Sequence, residues 1–479
     1  MTTGSTTAGV QLGGGETGSA FLHRVLLETA ARFPAELSSA AVPADARRFK
    51  ADFGDAVTRF EAARVASPRR VELARHLLHH TTASLLLDGA PLLAALEDPA
   101  PTPTVQVHHG AARGFLPEVP LDGHVYRGRE VQRALDGLLA THHLTHAAHR
   151  ALAWTVERSF DGLDLRGQRF ALIGAAAELS PAAMLLDAGA TVRWLDVRPP
   201  TAFTGELHTT LGGDDVLHQP RAVVAALKDF AKDGPVHVGL FAYAPGASRE
   251  LRLAASMDAI VRSLGATVVK SVSLFVSPTS PGELQPEDLQ AATSRGQAPA
   301  WWQRGFAAAR ALKAPGAFGS PTAPVARGAI SLQGAAYQAA QYLTKILSAE
   351  VLAVDGLGGV PVTVSANVAG ITRTRSLSHP LFQVAFEGAP AFGVRIFHPE
   401  TTRALSGLLM LHDLLNVDAP GSASRSFATE ADKARALRSQ QIHGGAYDLP
   451  WQFESAVRTA AVVGLGKRPD LLFRRAKPS

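Results

Sequence analysis

Apolar positions change their rhythm along this chain. From Phe21 to about Arg75 they recur at helical spacing, interrupted by Pro34, Pro43 and Pro68, and no stretch alternates as a strand would. Residues 88–125 are rich in Pro, Gly and His, and PAPTPT at 99–104 reads as an extended linker, with a short strand at Val105–Val107. Val131, Leu135, Leu138, Leu152 and Val156 then form one stripe, which predicts a single long helix from about Gly128 to Arg158.

A different pattern begins at DLRGQRFALIG. Turn and charged residues lead into a short apolar strand, Phe170–Ile173, that ends on Gly174. Ser180 and Pro181 read as the N-cap and first residue of a helix, MLLDAG as its end, and TVRWLDV as a second strand closing on Asp196. Together these make a βαβ unit with an acid about twenty residues beyond the loop. Further strands are predicted at 236–242, 267–276 and 361–368, separated by helices at 220–231, 249–264 and 334–353. Strands alternating with helices imply an α/β fold, a doubly wound parallel Rossmann sheet preceded by a mostly helical N-terminal domain. The expected organisation is a disordered tail at 1–20, a helical domain at 21–160, the Rossmann-like domain at 161–420 with an insertion at about 282–331, and a C-terminal helical extension at 421–479.

Composition narrows the function classes. Apolar residues make up 46% and charged residues 19% of the 479, which suits a chain that buries its own core. A net charge of +5 with scattered Lys and Arg argues against nucleic acid as a partner. The absence of cysteine excludes disulfides, thiolate metal sites and a cysteine nucleophile. No apolar run is long enough to span a membrane and the first twenty residues lack a signal peptide's apolar stretch, so a cytoplasmic protein is expected.

The ordered landmarks from about 160 to 380 resemble the short-chain dehydrogenase/reductase superfamily. DLRGQRFALIGA stands where that family has its first strand and Gly-rich turn, Asp196 ends strand two, and Asp215 and Val216 match its adenine-side pair. LFAYAPG at 240–246 replaces its Asn-Ala-Gly strand end, SVSLFVSPT resembles its Ser strand, GAAYQAAQYLTKILSAE its Tyr helix, and SANVAGITRT the stretch after its sixth strand. The chain departs from the pattern at Glu178 and Ser180, where the family has glycines, and at Gln341, where it has a Lys four residues after the Tyr; Lys345 follows Tyr337 by eight. The resemblance implies an NAD(P)-dependent oxidoreductase acting on a carbonyl, alcohol or activated double bond of a mostly apolar small molecule, in a fold whose members often form homo-oligomers. Tyr337 would be the acid/base, Ser277 the hydroxyl that holds the substrate oxygen and Lys345 the electrostatic helper. Gly174, Ala175, Ser180, Asp196, Asp215, Val216, Ala244, Gly246 and Thr374 would line the cofactor.

A carboxylate at Asp196 accepts bonds from a ribose 2′-hydroxyl and repels a 2′-phosphate, which favours NAD over NADP, with Arg198 the residue that would reverse the preference. His142, His146 and His149 have helical spacing but no adjacent carboxylate; an interdomain pocket explains them better than a metal, and no metal is expected. GGVPV at 358–362 and GLGK at 464–467 lack the frame of a P-loop. Two alternatives stand beside the redox reading: a Rossmann-fold protein with non-redox chemistry or lost catalysis, which the missing glycines favour, and a methyltransferase dependent on S-adenosylmethionine, which the absent acidic residue before a Gly-x-Gly turn disfavours.

Overall fold

Seven strands form the central sheet of the computed structural model, which describes residues 9–244, 246, 248–314, 317–320, 323–326, 328 and 333–473. In chain order these are β1 (Val105–His109), β2 (Arg169–Ile173), β3 (Thr191–Leu195), β4 (Glu206–Thr210), β5 (Val236–Leu240), β6 (Val269–Val276) and β7 (Thr363–Val368), lying side by side as β7-β6-β5-β2-β3-β4-β1. β2 to β7 are mutually parallel and β1 runs antiparallel along the β4 edge. Counted from β2, the parallel strands stand in the order 3-2-1-4-5-6.

Period-two side chains divide the core. Ala171 and Ile173 of β2, with Val236, Val238 and Leu240 of β5, face one apolar cluster, while Phe170 and Leu172 face another. The first is covered by helices α1 (Gly18–Arg32), α2 (Ala46–Ala66), α3 (Arg70–Ala83), α4 (Pro220–Phe230) and α5 (Arg249–Leu264), and by a long helix, α6, assembled from Ala335–Ala339, Ala340–Ile346 and Leu347–Asp355. The second face is covered by α7 (Pro399–Leu415) and by a short turn of helix, Ala182–Asp187. Helices on both faces explain why these strands read as continuous apolar runs.

Three expectations change. Val10–Leu12, placed in the tail, form a strand paired with Leu85–Leu87, and Thr17 caps the helix that starts at Gly18, because Val10 and Leu12 bury completely against the main core. Residues 1–8 and 474–479 lie outside the described residues. The single helix expected at 128–158 is two, Glu130–Ala140 and His146–Phe160: His142 takes a left-handed conformation (φ 55°) and Thr145 caps the second helix through Ala148 N. The strand β4 was not foreseen, since only Leu207 and Thr209 of ELHTT are buried.

The N-terminal helices share the sheet's core, and ion pairs lock them to α6. Arg64 Nη1 and Nη2 donate to Glu350 at 2.8 and 3.0 Å, and Arg64 Nε donates to Glu61 at 2.8 Å. Arg70 binds Glu283 at 2.8 and 3.0 Å and Glu350 at 3.1 Å. Tyr342 Oη donates to Glu61 at 2.7 Å, and Arg438 closes the group against Glu61 and Glu283. Burial alone would raise the Glu350 carboxyl, but Arg64 and Arg70 together hold it well below the ordinary carboxylate range.

Glu350→Gln keeps the shape and removes one charge from this buried set, so two guanidiniums lose their shared counter-ion. The expected result in urea unfolding is a loss of about 3–5 kcal/mol, the cost of an uncompensated buried charge. A loss under about 1 kcal/mol, the size of an exposed pair, would contradict the packing described here.

Candidate functional site

The carboxyl ends of β2, β5 and β6 converge where the strand order reverses. Gly174 leaves β2 with φ 84°, and a Cβ there would lie 2.1 Å from Ala242 N, just past β5, so only glycine lets these two strand ends approach. Gly174 N donates to Leu195 O at 2.8 Å, joining the loop to β3.

Asp196 sits beyond β3 and faces back into this loop. Its Oδ2 accepts Ala176 N at 3.0 Å and its Oδ1 accepts Arg198 N at 2.9 Å, while Arg198 Nη2 donates to Ala176 O at 2.9 Å. Each carboxylate oxygen therefore keeps a free lone pair. Glu178 turns away from the front of the loop: Oε2 accepts Arg375 N at 3.0 Å and Oε1 lies 3.4 Å from Arg375 Nε. Ser180 does not cap a helix as expected. Pro181 occupies the cap position, no side chain caps the turn, and the buried Ser180 hydroxyl has no hydrogen-bond partner.

At the end of β6 the structure brings two of the proposed catalytic residues together. Tyr337 stands on the first turn of α6 with its phenol close to the Ser277 and Thr279 hydroxyls, and its neighbour Gln338 donates through Nε2 to Thr279 O at 2.7 Å. Ser277 Oγ and Thr279 Oγ1 are 2.8 Å apart, and Thr279 N donates to Ser277 Oγ at 3.2 Å. Burial, with Glu250 and Tyr243 nearby, holds the Tyr337 phenol well above its ordinary value against the lowering effect of those two hydroxyls. Lys345 stands apart from this trio. Its ammonium lies 3.6 Å from Glu250 Oε1, and Glu250 Oε2 accepts Ala244 N at 2.8 Å. Burial raises the Glu250 carboxyl in spite of Lys345.

Residues Ala340–Ile346 of α6 are π-helical, a wider turn that carries Gln341, Tyr342 and Lys345. Gln341, standing where the family has its Lys, accepts Ser277 N through Oε1 at 3.3 Å. Thr279 and Glu250 were missed from the sequence. A hydroxyl two residues beyond Ser277 was the available signal for the first; nothing local marked Glu250.

Of the remaining residues expected to line a cofactor, Ala175 is buried and Val216 packs into the main core. The Asp215 carboxylate accepts Leu217 N and His218 N at 2.9 and 3.1 Å, capping its own turn. Gly246 is exposed with φ 114°. Thr374 Oγ1 lies 2.9 Å from Ser376 Oγ.

His142, His146 and His149, whose helical spacing is better explained by a pocket than by a metal, form no metal-binding group among the described residues. His149 pairs with Asp136 at 2.8 Å, and His142 lies in the turn between the two helices. Among the described residues a different group, Asp288, His443 and Asp448, is buried with donor atoms within 4.8 Å of one another. Gly445 N donates to His443 Nδ1 at 3.1 Å, which leaves the ring proton on Nε2, 3.1 Å from Asp288 Oδ1, and Arg295 Nη2 stands 3.5 Å from Asp448. A protonated Nε2 and a neighbouring guanidinium are the chemistry of a proton-sharing cluster rather than of a cation cage.

That cluster gives a pH test. Burial pushes the Asp448 carboxyl up to about 6, against the pull of His443. The unfolded value is about 3.9. The folded chain thus holds this proton more tightly, and stability falls as pH rises from about 4 through about 6. Asp448→Asn escapes that loss: its unfolding free energy should exceed the parent's by about 3 kcal/mol above the folded-state value and converge with it near pH ~4. Destabilisation at neutral pH, reversed by added divalent cation, would contradict the cluster. Compared with known proteins, the chain matches no family model and no curated protein.

Proposed function

We propose that the chain is a nicotinamide-dependent reductase with a Rossmann-type, doubly wound sheet, acting on the carbonyl or activated double bond of a mostly apolar small molecule. The observation that carries the reading is the Tyr337–Ser277 pair, held at the carboxyl ends of the strands beside the point where the strand order reverses. The order 3-2-1-4-5-6 is the arrangement in which dinucleotides bind at that crevice.

The loop residues fit a dinucleotide. Gly174 and Ala175 supply close backbone, Asp196 offers two free lone pairs to ribose hydroxyls, and Ser180 has an unpartnered buried hydroxyl. Glu178, the residue that would repel a pyrophosphate, is turned to Arg375. Asp196 favours NAD, and the largely exposed Arg198 guanidinium stands where it would meet a 2′-phosphate. Bound there, a nicotinamide would supply the two electrons of the reduction. The protein's part is the proton. A phenol held above its ordinary value is protonated at neutral pH, so Tyr337 serves as the donor to the substrate oxygen, with Ser277 orienting it. Small apolar substrates are the expected partners, and a homo-oligomer is the expected assembly.

A second reading, a frame with non-redox chemistry, is favoured by one observation: Lys345 is committed to Glu250 and not to Tyr337. Titration of the purified protein with NADH, NADPH and S-adenosylmethionine, followed by thermal shift and nicotinamide fluorescence, separates the two. We expect stabilisation by NADH at least, and for Tyr337→Phe unchanged dinucleotide affinity with turnover of an aldehyde and enone panel reduced about 100-fold or more. Silence toward both nicotinamides would remove the redox reading, and stabilisation by S-adenosylmethionine alone would replace it.

A further inference from the structure

A phosphate ester in a βαβ crevice is ordinarily met by backbone amides of the loop after the first strand and by the N-terminus of the helix that follows. Here most of those donors are already bonded. Two tight turns follow β2: Ala177 N donates to Gly174 O and Ser180 N to Ala177 O, each at 3.0 Å. Gly174 N is taken by Leu195 O and Ala176 N by the Asp196 carboxylate, and Pro181 has no N–H to give. The helix beyond, Ala182–Asp187, is only six residues long, so its aligned peptide dipoles sum to little. An anion at this loop therefore needs charged side chains.

Three guanidiniums stand around it. Arg198 donates through Nη2 to Ala176 O at 2.9 Å, and Arg403, on α7, donates through Nη1 to Glu178 O at 3.2 Å. Arg375, the residue after Thr374, places Nε 3.4 Å from Glu178 Oε1. Ala176 and Glu178 are two residues apart, a span of at most ~7 Å, so the three cations share one short stretch of loop. Arg403 is exposed and has no carboxylate partner among the described residues. Two hydroxyls in the same region are buried without a partner: Ser180 in the loop, and Ser406 one turn along α7 from Arg403. The Glu178 carboxylate meets Arg375 at two points, its backbone N and its Nε, as a pair of phosphate oxygens would. With the guanidinium so exposed, that pair is weak. A diphosphate brings more charge and oxygens that match the guanidinium fork, which lets it take the carboxylate's place.

We infer that Arg375 and Arg403 bind the diphosphate of a nucleotide at this loop, and that Glu178 is the internal anion that occupies Arg375 until the nucleotide arrives. The inference rests on the reading of the crevice beside Gly174 as a nucleotide site, and not on Tyr337 or on redox chemistry. The ligand class is a diphosphate ester, either a nicotinamide dinucleotide or a nucleoside diphosphate.

Binding of NADH, NADPH and ADP to the full-length protein, measured by calorimetry at low salt, tests it. Arg375→Gln and Arg403→Gln should each weaken the bound nucleotide about tenfold or more, the loss of a charge-assisted bond to phosphate. Glu178→Gln keeps the side chain's shape and removes its charge, so the same nucleotide should bind about fivefold tighter. That gain, unlike the two losses, cannot come from a damaged fold. NADH bound equally well by the parent and all three variants would overturn the inference and leave the nucleotide reading in place. ADP bound in the expected pattern by a protein that ignores NADH and NADPH would uphold the arginine site and remove the nicotinamide reading. No binding of any of the three, even by Glu178→Gln, would overturn both.

Discussion

Three arginines and three glutamates, buried or nearly so, hold the molecule's parts in one register. Arg64, Arg70 and Arg438 balance Glu61, Glu283 and Glu350, and these six come from α2, α3, the segment after β6, α6 and the C-terminal region. Arg64, Glu61 and Glu350 are wholly buried. Such a group contributes little net stability relative to apolar side chains of the same volume, because desolvation offsets the attraction. Its strength is exclusion: any packing that displaces one member leaves an uncompensated charge in the interior. One arrangement of the N-terminal helices on α6 therefore survives.

The candidate site inherits its geometry from that restraint. Glu350 lies near one end of α6 and Tyr337 near the other, with Tyr342, itself bonded to Glu61, in the π-helical turn between them. The same turn presents Gln341 to the Ser277 backbone and Lys345 to Glu250. Tyr337 is thus positioned by the charge group through the helix, with the Ser277 and Thr279 hydroxyls beside its phenol.

Much of the sheet was legible because its strands are short apolar runs bounded by turns: β2, β3, β5, β6 and β7 fall where Phe170–Ile173, TVRWLDV and the later runs place them. Half-buried β4 carries too weak an alternation to see, and β1, an exposed edge strand, shows its role only through pairing with β4. Ser277 and Tyr337 were chosen as candidates from the residues around them, and the fold sets them close to each other. Glu250, Thr279 and the Asp288–His443–Asp448 cluster were not, since their partners lie far away in the chain and no local pattern encodes which charge faces which. The three histidines near 145 show the reverse: helical spacing suggested a shared face, and one left-handed residue, His142, removed it.

The central claim is that the crevice beside Gly174 and the Tyr337–Ser277 pair form one nicotinamide site. The most direct test is a crystal structure of the protein grown with saturating NADH. The account predicts ribose hydroxyls on Asp196, the pyrophosphate over Gly174 and Ala175, and the nicotinamide ring beside Ser277 and Tyr337. A crevice empty at saturating NADH, or a nucleotide bound with its ring away from Tyr337, would contradict it.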